Sequence, residues 1–323
     1  MITYSSARPA THRKAVVLCC DAGFLPQAAF LLSQIAMPNP DADFDLCLCS
    51  EDGLTLPETL LHLPVRQCQL MIPDAVKDAP QSYRVNLSSY LRLFLPTAFA
   101  AEYDRLLYLD ADIMLRGGDL SRLLDIPLLA DHPVAGARTA HQRTQPRKQM
   151  REFKALGLPP APYFNAGVLL IDVPRWEAAH MRDRALELIA TKPEVLVMHD
   201  QSVLNVLLRD KWSELSVVWN WQYAGRFSHL AEAFDPYLLH FAGRYKPWNT
   251  FDGQFPPQYP DAYRAFFADH FPDLAAEMPP APSILKAAGF HRKALLKQWF
   301  DFNRLAAYIG RFDDPYKVID PRK

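Results

Sequence analysis

Short apolar runs alternate with stretches of helical periodicity through the first half of the chain. Four runs have the length and composition of buried strands: "KAVVLCC", "DFDLCLCS", "VRQCQLM" and "RLLYLDAD". Between them, "PQAAFLLSQIA" and "SSYLRLFLPTAF" predict helices, with Pro26 in the first turn of the former and Pro96 ending or kinking the latter. Strands and helices in alternation indicate parallel strands covered by helices, an α/β fold.

The second half continues this pattern and then departs from it. "VAGA" and "YFNAGVLLIDV" predict two more strands, the latter followed by Pro174 and a helix over "RWEAAHMRDRALELIA". "PYLLHFAGRYKPW" predicts a strand that runs into a turn, and "PDAYRAFFADHF" predicts a short helix. The proline-rich segment "MPPAPS" follows at residues 278–283. We therefore predict a domain of residues 1–277 and an extension of residues 278–323.

Composition narrows the class of protein. The 323-residue chain is 50% hydrophobic and has a formal net charge of −1, which argues against a nucleic-acid partner. Its five cysteines have no further Cys or His at metal-ligand spacing, so we expect buried thiols in a reducing compartment. No apolar stretch has the length of a signal-peptide core or a membrane span, and we expect a cytoplasmic protein. The cysteines are Cys19, Cys20, Cys47, Cys49 and Cys68.

The fourth strand ends in two carboxylates, Asp110 and Asp112, which are unfavourable at the edge of a core unless something pairs with them. They either cap the next segment or hold a cation, and Asp119, before "LSRLL", is the better cap candidate. In an extended backbone residues i and i+2 project to one side, so both carboxylates would converge on one ion. The chain contains no G-x-G-x-x-G and no G-x-x-x-x-G-K, so phosphate bound here would be neutralised by a metal.

Five motifs occur in one order along the chain: "YLRLFLP", "LYLDADIML", "YFNAGVLLIDV", "HDQSVLN" and "HFAGRYKPW". Together they resemble the family 8 glycosyltransferases, in particular the bacterial lipopolysaccharide galactosyl- and glucosyltransferase branch, over residues 15–250. The resemblance implies a GT-A-type, Rossmann-like catalytic domain at residues 1–277, a mixed sheet flanked by helices, with a helical C-terminal extension. It implies retaining transfer of galactose or glucose from a UDP-sugar to a glycolipid, lipopolysaccharide or oligosaccharide, with Mn²⁺ or Mg²⁺ as cofactor.

The resemblance also assigns roles to individual residues. It makes Asp110, Asp112 and His240 the metal ligands, and it places Asp200 and Gln201 at the reacting sugar. Because an amide is a poor nucleophile, Gln201 favours front-face substitution, in which the departing phosphate takes the acceptor proton. The residues assigned to the donor are Asp21, Phe24, Ser89, Arg92, Asn165, Gly243 and Lys246.

Several of these assignments have structural alternatives. Arg92 could instead pair with a carboxylate in the core, and Asp200 could cap the helix predicted over "HDQSVLNVLL". Phe24 stands where relatives often have tyrosine, so it can stack on a base but lacks the hydroxyl. After "VAGA", relatives commonly carry an aspartate in the stretch aligned with "RTAHQ", where this chain has Arg138, Thr139 and Ala140. Either the donor sugar differs or another acid substitutes.

Two other classes of function stay open at this point. A strand followed by Asp-x-Asp also begins phosphatases with an aspartyl nucleophile, but these need Thr or Val where this chain has Met114. A non-catalytic sugar- or lipid-binding module on a transferase scaffold is the other alternative. The presence of all three metal-ligand candidates together with Lys246 argues against that alternative.

The C-terminal extension is cationic and rich in aromatic residues. Residues 284–312 contain six Lys or Arg and a single acid, Asp301, interleaved with Phe290, Trp299, Phe300 and Tyr308. This composition is typical of a helix at a membrane surface, and the resemblance implies peripheral membrane contact at the inner face. The alternative is a helix that packs on the catalytic domain with its lysines in solvent.

Overall fold

The protein is built around an eight-stranded sheet that is joined to a smaller three-stranded sheet. The structure, a computed structural model, describes residues 3–39, 41–71, 87–223, 230–250, 254–278 and 284–323. Most of the predicted "MPPAPS" break therefore lies outside the described residues. The strands are β1 (Tyr4–Ser6), β2 (Lys14–Cys19), β3 (Asp45–Ser50), β4 (Val65–Leu70), β5 (Arg105–Asp110), β6 (Ile113–Leu115), β7 (Val134–Arg138), β8 (Phe164–Asp172), β9 (Ser213–Leu215), β10 (Trp221–Gln222) and β11 (Leu238–His240).

Helices cover the sheet and connect its strands. The α-helices in the described part of the chain are α1 (Leu25–Ala36), α2 (Leu87–Tyr90), α3 (Leu95–Ala98), α4 (Leu120–Leu124), α5 (Ala140–Thr144), α6 (Arg151–Ala155), α7 (Val173–Ala178), α8 (Met181–Thr191), α9 (His199–Leu207), α10 (Leu230–Phe234), α11 (Gln258–His270), α12 (Pro272–Glu277) and α13 (Ile284–Ile309). Short 3₁₀ helices lie at Ala22–Phe24, Glu58–Leu60, Leu91–Leu93, Pro193–Val195 and Val217–Trp219. No described helix combines the length and the apolar character needed to cross a bilayer.

The large sheet is mixed, in the order β1-β4-β3-β2-β5-β8-β7-β9. Strand β2 runs parallel to both β3 and β5, as the alternation of strands and helices predicts. Strand β8 runs antiparallel to its neighbours β5 and β7, so the expectation of parallel strands is wrong there. The apolar run of β8 shows that it is buried on both faces but carries no information on its direction. The mixed sheet implied by the family resemblance is confirmed.

The core has one layer on each face of the large sheet. Cys47 and Cys49 pack in one layer and Leu46 and Leu48 in the other, as the period of two along β3 requires. All five cysteines are buried and none forms a disulfide. The interpretation of these residues as small core side chains is therefore confirmed.

Two predicted helices are divided into shorter ones. The segment "SSYLRLFLPTAF" forms α2, a 3₁₀ turn and α3, and Pro96 lies in the first turn of α3 instead of ending a helix. The missing N–H of proline is harmless in a first turn, so Pro96 begins a helix here. The segment after Pro174 forms α7 and α8, which meet at His180 with a φ of +50°. Such a left-handed residue interrupts the helical hydrogen bonds.

The smaller sheet has the order β10-β11-β6. Strand β6 follows β5 after a turn of two residues, so the chain passes from the large sheet to the small one at that turn. β6 pairs antiparallel with β11, and His240 lies opposite Ile113. This register delivers a distant part of the chain to the end of β5.

The C-terminal part of the chain packs on the rest of the fold. Leu305 and Tyr308 of α13 are buried in the cluster that contains Tyr263 and Phe267. Beyond α13, Ile319 forms an isolated antiparallel bridge with Glu214 on β9. These contacts hold the far end of α13 against the fold.

Candidate active site

Asp110 and Asp112 lie where the polypeptide passes from β5 of the large sheet to β6 of the small sheet. Asp110 is the last residue of β5, and Asp112 lies in the turn that leads to β6. The two carboxylates therefore approach each other through a turn. The prediction that an extended backbone aligns them is wrong. Asp119 caps α4 by accepting a hydrogen bond from the Arg122 amide at 3.0 Å, as the sequence predicts.

The third predicted ligand reaches the same place. His240 Nε2 lies 3.2 Å from Asp112 Oδ1 and 3.7 Å from Asp110 Oδ2. One ligand atom from each of these three residues lies within 4.8 Å of the others. The backbone reinforces the arrangement, because the Phe241 amide donates to the Asp112 carbonyl at 3.0 Å.

The electrostatics of this cluster fit a cation. Burial by itself would raise the pKa of Asp112, but the charges of Lys246 and His240 outweigh it and hold that pKa well below its ordinary value. Among the described residues none donates a hydrogen bond to Asp112 Oδ1, which is buried and faces His240. Two carboxylates and one imidazole form a mixed oxygen and nitrogen donor set suited to a divalent transition metal.

Lys246 lies beside this cluster. Its Nζ atom donates to Asp112 Oδ2 and to the Phe241 carbonyl, the latter at 2.6 Å. Asp112 thus has one oxygen on the lysine and the other facing His240. Gly243, in the turn between β11 and Lys246, has a φ of +100°, a conformation that favours glycine.

Arg92 is buried at the centre of the site. Its guanidinium lies 2.8 Å from Asp110 Oδ1 and 2.9 Å from Asp200 Oδ2. It also donates to the Ala166 carbonyl at 2.6 Å and lies over the ring of Tyr108. The salt bridge expected as an alternative is present, and it joins a metal-ligand candidate to a candidate at the sugar.

Asp200 and Gln201 lie in the first turn of α9, next to β8. Burial raises the pKa of Asp200 to about 6 against the opposing charge of Arg92. The N-cap residue of α9 is Met198, whose main-chain N–H donates to the Ser202 hydroxyl at 2.7 Å. Asp200 lies inside the first turn, so the alternative of Asp200 as the cap is wrong. Gln201 Oε1 accepts a hydrogen bond from Asn165 Nδ2 at 2.9 Å.

A cavity of about 150 Å³ opens beside the two aspartates. Phe24, Ser89 and Arg92, all predicted to bind the donor, line it together with Asp110 and Asp112. Phe24 is partly exposed and meets Trp248 edge to face. Asp21 uses Oδ1 to cap the Ala22–Phe24 turn, accepting from the Phe24 amide at 3.0 Å.

Three residues of the site were missed by the sequence analysis. Asn220 Oδ1 lies 3.0 Å from His240 Nδ1, and the Tyr108 hydroxyl donates to Asp110 at 2.9 Å. Gly167 leaves the space into which His240 and Asp110 pack. Tyr108 lies two residues before Asp110 on one face of β5, and that spacing was a usable signal. Asn220 has no such local signal.

Arg138 does not take part in this cluster. It is buried and forms a two-pronged salt bridge with Glu214, with both nitrogen-to-oxygen distances at 2.8 Å. Glu214 also accepts from the Tyr308 hydroxyl and pairs with Arg311. Arg138 therefore helps to hold the C-terminal segment, and it also donates to the Pro321 carbonyl.

The sequence model of glycosyl transferase family 8 matches residues 15–252, well over half of the chain. The chain belongs to this family. The match includes all the predicted site residues, from Asp21 to Lys246. This family 8 protein is accordingly a glycosyltransferase, and the phosphatase alternative is set aside.

Curated relatives of this family 8 enzyme include transferases of lipopolysaccharide. It is 28% identical over 247 residues to the lipopolysaccharide 1,2-glucosyltransferase of Escherichia coli K12, covering 71% of each chain. It is 29% identical over 191 residues to the lipopolysaccharide 1,3-galactosyltransferase of Salmonella typhimurium LT2, covering 57% of this chain and 55% of the relative. General stress protein A of Bacillus subtilis 168 is 25% identical, with 73% of this chain and 87% of the relative covered.

Solved structures share the fold. The galactosyltransferase LgtC, in complex with donor and acceptor sugar analogues, superposes with a TM-score of 0.59 at 20% identity. The superposition covers 83% of this chain and 98% of LgtC. The fold of this family 8 enzyme is therefore that of the GT-A-type transferase LgtC.

Proposed function

We propose that this enzyme transfers galactose or glucose, with retention of configuration, from a UDP-sugar to a glycolipid, lipopolysaccharide or oligosaccharide acceptor. The observation that carries the proposal is the convergence of Asp110, Asp112 and His240 beside an open cavity in a family 8 fold. The lipopolysaccharide transferases among the relatives support the choice of sugar and acceptor.

In this proposal Asp110, Asp112 and His240 hold Mn²⁺, with Mg²⁺ as the possible substitute. The bound ion would supply positive charge for the oxygens of the diphosphate. Lys246, already within hydrogen-bonding distance of Asp112, adds a second positive charge as the diphosphate leaves, and Gly243 lets the backbone approach it. This assignment is supported by Asp112 Oδ1, a buried oxygen that faces His240 and receives no hydrogen bond from the described residues.

In the same proposal, the residues around Arg92 bind the sugar of the donor. Asp200 accepts hydrogen bonds from sugar hydroxyls, and Asn165 lines the same subsite. Gln201 Oε1 accepts hydrogen bonds from Asn165 Nδ2 and the Ala166 amide, at 2.9 and 3.1 Å. An amide oxygen held in this way is a poor nucleophile, which favours front-face substitution. Asp21 and Phe24 then bind the uridine, with Ser89 at the donor side of the cavity.

Release of UDP tests the proposal directly. UDP-galactose, UDP-glucose and a panel of other nucleotide sugars are incubated with the enzyme in Mn²⁺, in Mg²⁺ and in EDTA. We expect turnover of one hexose donor that requires the metal and falls at least about 100-fold in Asp110→Ala and in Asp112→Ala, since a catalytic ion contributes several kcal/mol. Asp119→Ala, which removes the N-cap of α4 on the other side of β6, is the matched control and retains turnover.

Two results would contradict the proposal. Turnover that persists in EDTA or in both aspartate variants would remove the metal assignment. Donor affinity without any UDP release, with every acceptor offered, would instead identify a binding module on a transferase scaffold.

We further propose that α13 lies on an anionic membrane surface, at the inner face of the membrane. Leu295, Leu296, Trp299 and Phe300 are 53–79% exposed, whereas Asp301, the acid of this segment, is buried. The exposed charges at Arg292 and Arg304 complement anionic headgroups. The residue range 278–323 would then be an extension that contacts membrane on one side and the catalytic domain on the other. The five free cysteines fit a cytoplasmic location.

Flotation with vesicles tests the membrane proposal. Vesicles with and without an anionic phospholipid are mixed with the wild-type enzyme and with a Trp299→Ser/Phe300→Ser variant. We expect binding that requires anionic lipid and is lost in the variant, with UDP release unchanged. A variant with Met37→Ser, another strongly exposed apolar residue, controls for general loss of surface hydrophobicity. Equal flotation of wild type and the α13 variant would overturn the membrane contact.

A further inference from the structure

A chain of side-chain amides runs from the reacting-sugar subsite to the candidate metal ligand His240. Asn220 Nδ2 donates to Asn165 Oδ1 at 2.8 Å, and Asn165 Nδ2 donates to Gln201 Oε1 at 2.9 Å. At the other end, Asn220 Oδ1 lies 3.0 Å from His240 Nδ1. The hydrogen bonds therefore all run in one direction, because the nitrogen of each asparagine donates to the amide oxygen of the next residue, from Asn220 through Asn165 to Gln201.

Main-chain groups fix that sense. The Ala166 amide donates to Gln201 Oε1 at 3.1 Å, and the Gly167 amide donates to Asn165 Oδ1 at 3.1 Å. A backbone N–H can only donate, so the atoms it meets must be the oxygens of Gln201 and Asn165. The side-chain orientations, which are ordinarily ambiguous for amides, follow from the backbone here.

The backbone groups are available because the register between β7 and β8 is irregular. Gly136 lies opposite Leu169 and Arg138 opposite Phe164, so the segment of β8 between those two residues is longer than the facing segment of β7. Residues in such a bulge leave the ladder and can turn their polar groups to a site. The amides of Ala166 and Gly167 are used in this way.

The orientation then propagates to the histidine. Asn165 Oδ1 already accepts from Gly167, so the atom of Asn220 that faces it must be the donor Nδ2. Asn220 consequently turns Oδ1 toward His240, and a neutral imidazole must place its proton on Nδ1 to donate there. The lone pair is left on Nε2, which is the nitrogen that faces Asp110 and Asp112.

We infer that Asn220 is a positioning residue that holds His240 in its metal-binding tautomer and couples it to the Asn165–Gln201 pair. Asn220 is fully buried at the end of the Val217–Trp219 turn, where its main-chain N–H donates to the Val217 carbonyl at 3.0 Å. Arg143, also buried, donates to the main-chain oxygen of Asn220 at 2.9 Å. Backbone and side chain of Asn220 are therefore both held.

This inference rests on the metal site of the proposed function, so its test measures the binding of Mn²⁺ itself. Mn²⁺ is titrated into the metal-free enzyme and the free ion is followed by electron paramagnetic resonance. In Asn220→Ala we expect Mn²⁺ affinity to fall about 10- to 100-fold, the usual effect of losing the hydrogen-bond partner of a ligating histidine.

Asn220→Asp distinguishes the contact of residue 220 with His240 from its contact with Asn165. A carboxylate still accepts from His240 Nδ1 and makes the imidazole a better ligand. The guanidinium of Arg143, which is bonded to the main-chain oxygen of the same residue, supplies a positive charge in this region. We expect Mn²⁺ affinity within about threefold of the wild type. A carboxylate has no proton for Asn165 Oδ1, so kcat should fall while KM for the donor changes little.

Asn205→Ala is the matched control. Asn205 is also a buried amide, and it bonds to the backbone of Phe164 and Gln201 without contacting His240. Its loss should lower thermal stability and leave Mn²⁺ affinity unchanged. Stability of every variant is followed by thermal unfolding in EDTA.

The outcomes are distinguishable. Wild-type affinity in Asn220→Ala, or equally weak binding in Asn220→Ala and Asn220→Asp, would overturn the role of Asn220 and leave the proposed function standing. Absence of Mn²⁺ binding in the wild type would overturn both. If Asn220→Ala does not fold, the comparison of wild type with Asn220→Asp decides: weak Mn²⁺ binding or an unchanged kcat in the latter contradicts the inference.

Discussion

The imidazole of His240 occupies the space that a side chain at Gly167 would fill. A Cβ atom added at Gly167 would lie 2.3 Å from His240 Cε1 and 2.7 Å from Asp110 Oδ2. Atoms do not approach so closely, so the candidate metal site exists only because residue 167 is glycine. Because Gly167 is a residue of β8, this close packing makes β8 part of the site.

Gly167→Ala should therefore separate the metal ligands. We expect Mn²⁺ affinity to fall at least about tenfold, on the scale of losing a ligand's supporting contact, and UDP release to fall with it. Isothermal titration with Mn²⁺ measures the effect. Gly117→Ala is the control, because its Cβ would meet its nearest neighbour, Tyr237, at an ordinary 3.7 Å. Unchanged Mn²⁺ binding in Gly167→Ala would contradict the role assigned to His240.

The salt bridge between Lys246 and Asp112 leads to a second prediction: loss of Lys246 should preserve Mn²⁺ binding but lower turnover. Without Lys246, Asp112 keeps its full charge for a divalent ion, so Mn²⁺ should bind Lys246→Met at least as tightly as the wild type. Turnover should nevertheless fall about 10- to 1,000-fold, because the leaving diphosphate loses a positive charge.

Mn²⁺ titration and UDP release together check this prediction. The control is Lys317→Met, which removes a lysine of the C-terminal segment far along the chain from this cluster. A parallel loss of Mn²⁺ affinity and turnover in Lys246→Met would mean that the lysine supports the metal ligands instead of the leaving group.

Asp200 predicts how stability depends on pH. Burial raises its pKa in the folded protein to about 6, above the ordinary value of about 3.9, so the folded state binds this proton more tightly than the unfolded chain. Its contribution to stability is present below about pH 4 and is lost as the pH rises through about 6. Asp200→Asn should therefore raise the free energy of unfolding at pH 7, by about 3 kcal/mol for a two-unit shift.

Urea unfolding between pH 4 and pH 7.5 measures this effect, and Asp45→Asn is a control of opposite sign. Burial would raise the pKa of Asp45, but hydrogen bonds from Thr11, His12 and Tyr103 lower it overall. The stability from Asp45 is present above about pH 4 and is lost below it, so Asp45→Asn should be destabilised at pH 7. If Asp200→Asn is also destabilised at pH 7, its pairing with Arg92 outweighs burial.

Glu214 provides a prediction about the C-terminal segment. It is fully buried between Arg138, Arg311 and the Tyr308 hydroxyl, so Glu214→Ala leaves a buried guanidinium without its partner. We expect a loss of about 3–5 kcal/mol in the free energy of unfolding, measured by denaturant titration. Glu232→Ala, which removes the half-exposed partner of Arg116, should lose no more than about 1 kcal/mol.

The sequence predicts those parts of the site that local patterns encode. Asp110 and Asp112 follow an apolar run and could be named from that pattern, whereas His240 is assigned through the resemblance of "HFAGRYKPW" to the family. The helix around Asp200 and Gln201 could be predicted from its pattern, but the roles of these two residues come from the family resemblance alone.

What the sequence does not predict depends on pairing between distant segments. The role inferred for Asn220 depends on the pairing of β10 with β11 and on main-chain groups freed on β8, neither of which has a local signature. The direction of β8 and the packing of His240 on Gly167 are likewise consequences of three-dimensional assembly. Arg138 shows the limit most clearly, because the residue that ends β7 pairs with Glu214 and donates to the Pro321 carbonyl, and no local pattern predicts these distant contacts.

The tail beyond α13 bears on how this enzyme should be handled in the laboratory. Trp219 donates its indole N–H to the Pro315 carbonyl at 2.7 Å, and Tyr316 lies under the guanidinium of Arg122. A shortened chain designed to remove the apolar surface of α13 would also strip these covering residues and uncover the centre of the fold. Solubility is better improved by point substitutions at Trp299 and Phe300, which leave the closing residues of the polypeptide in place.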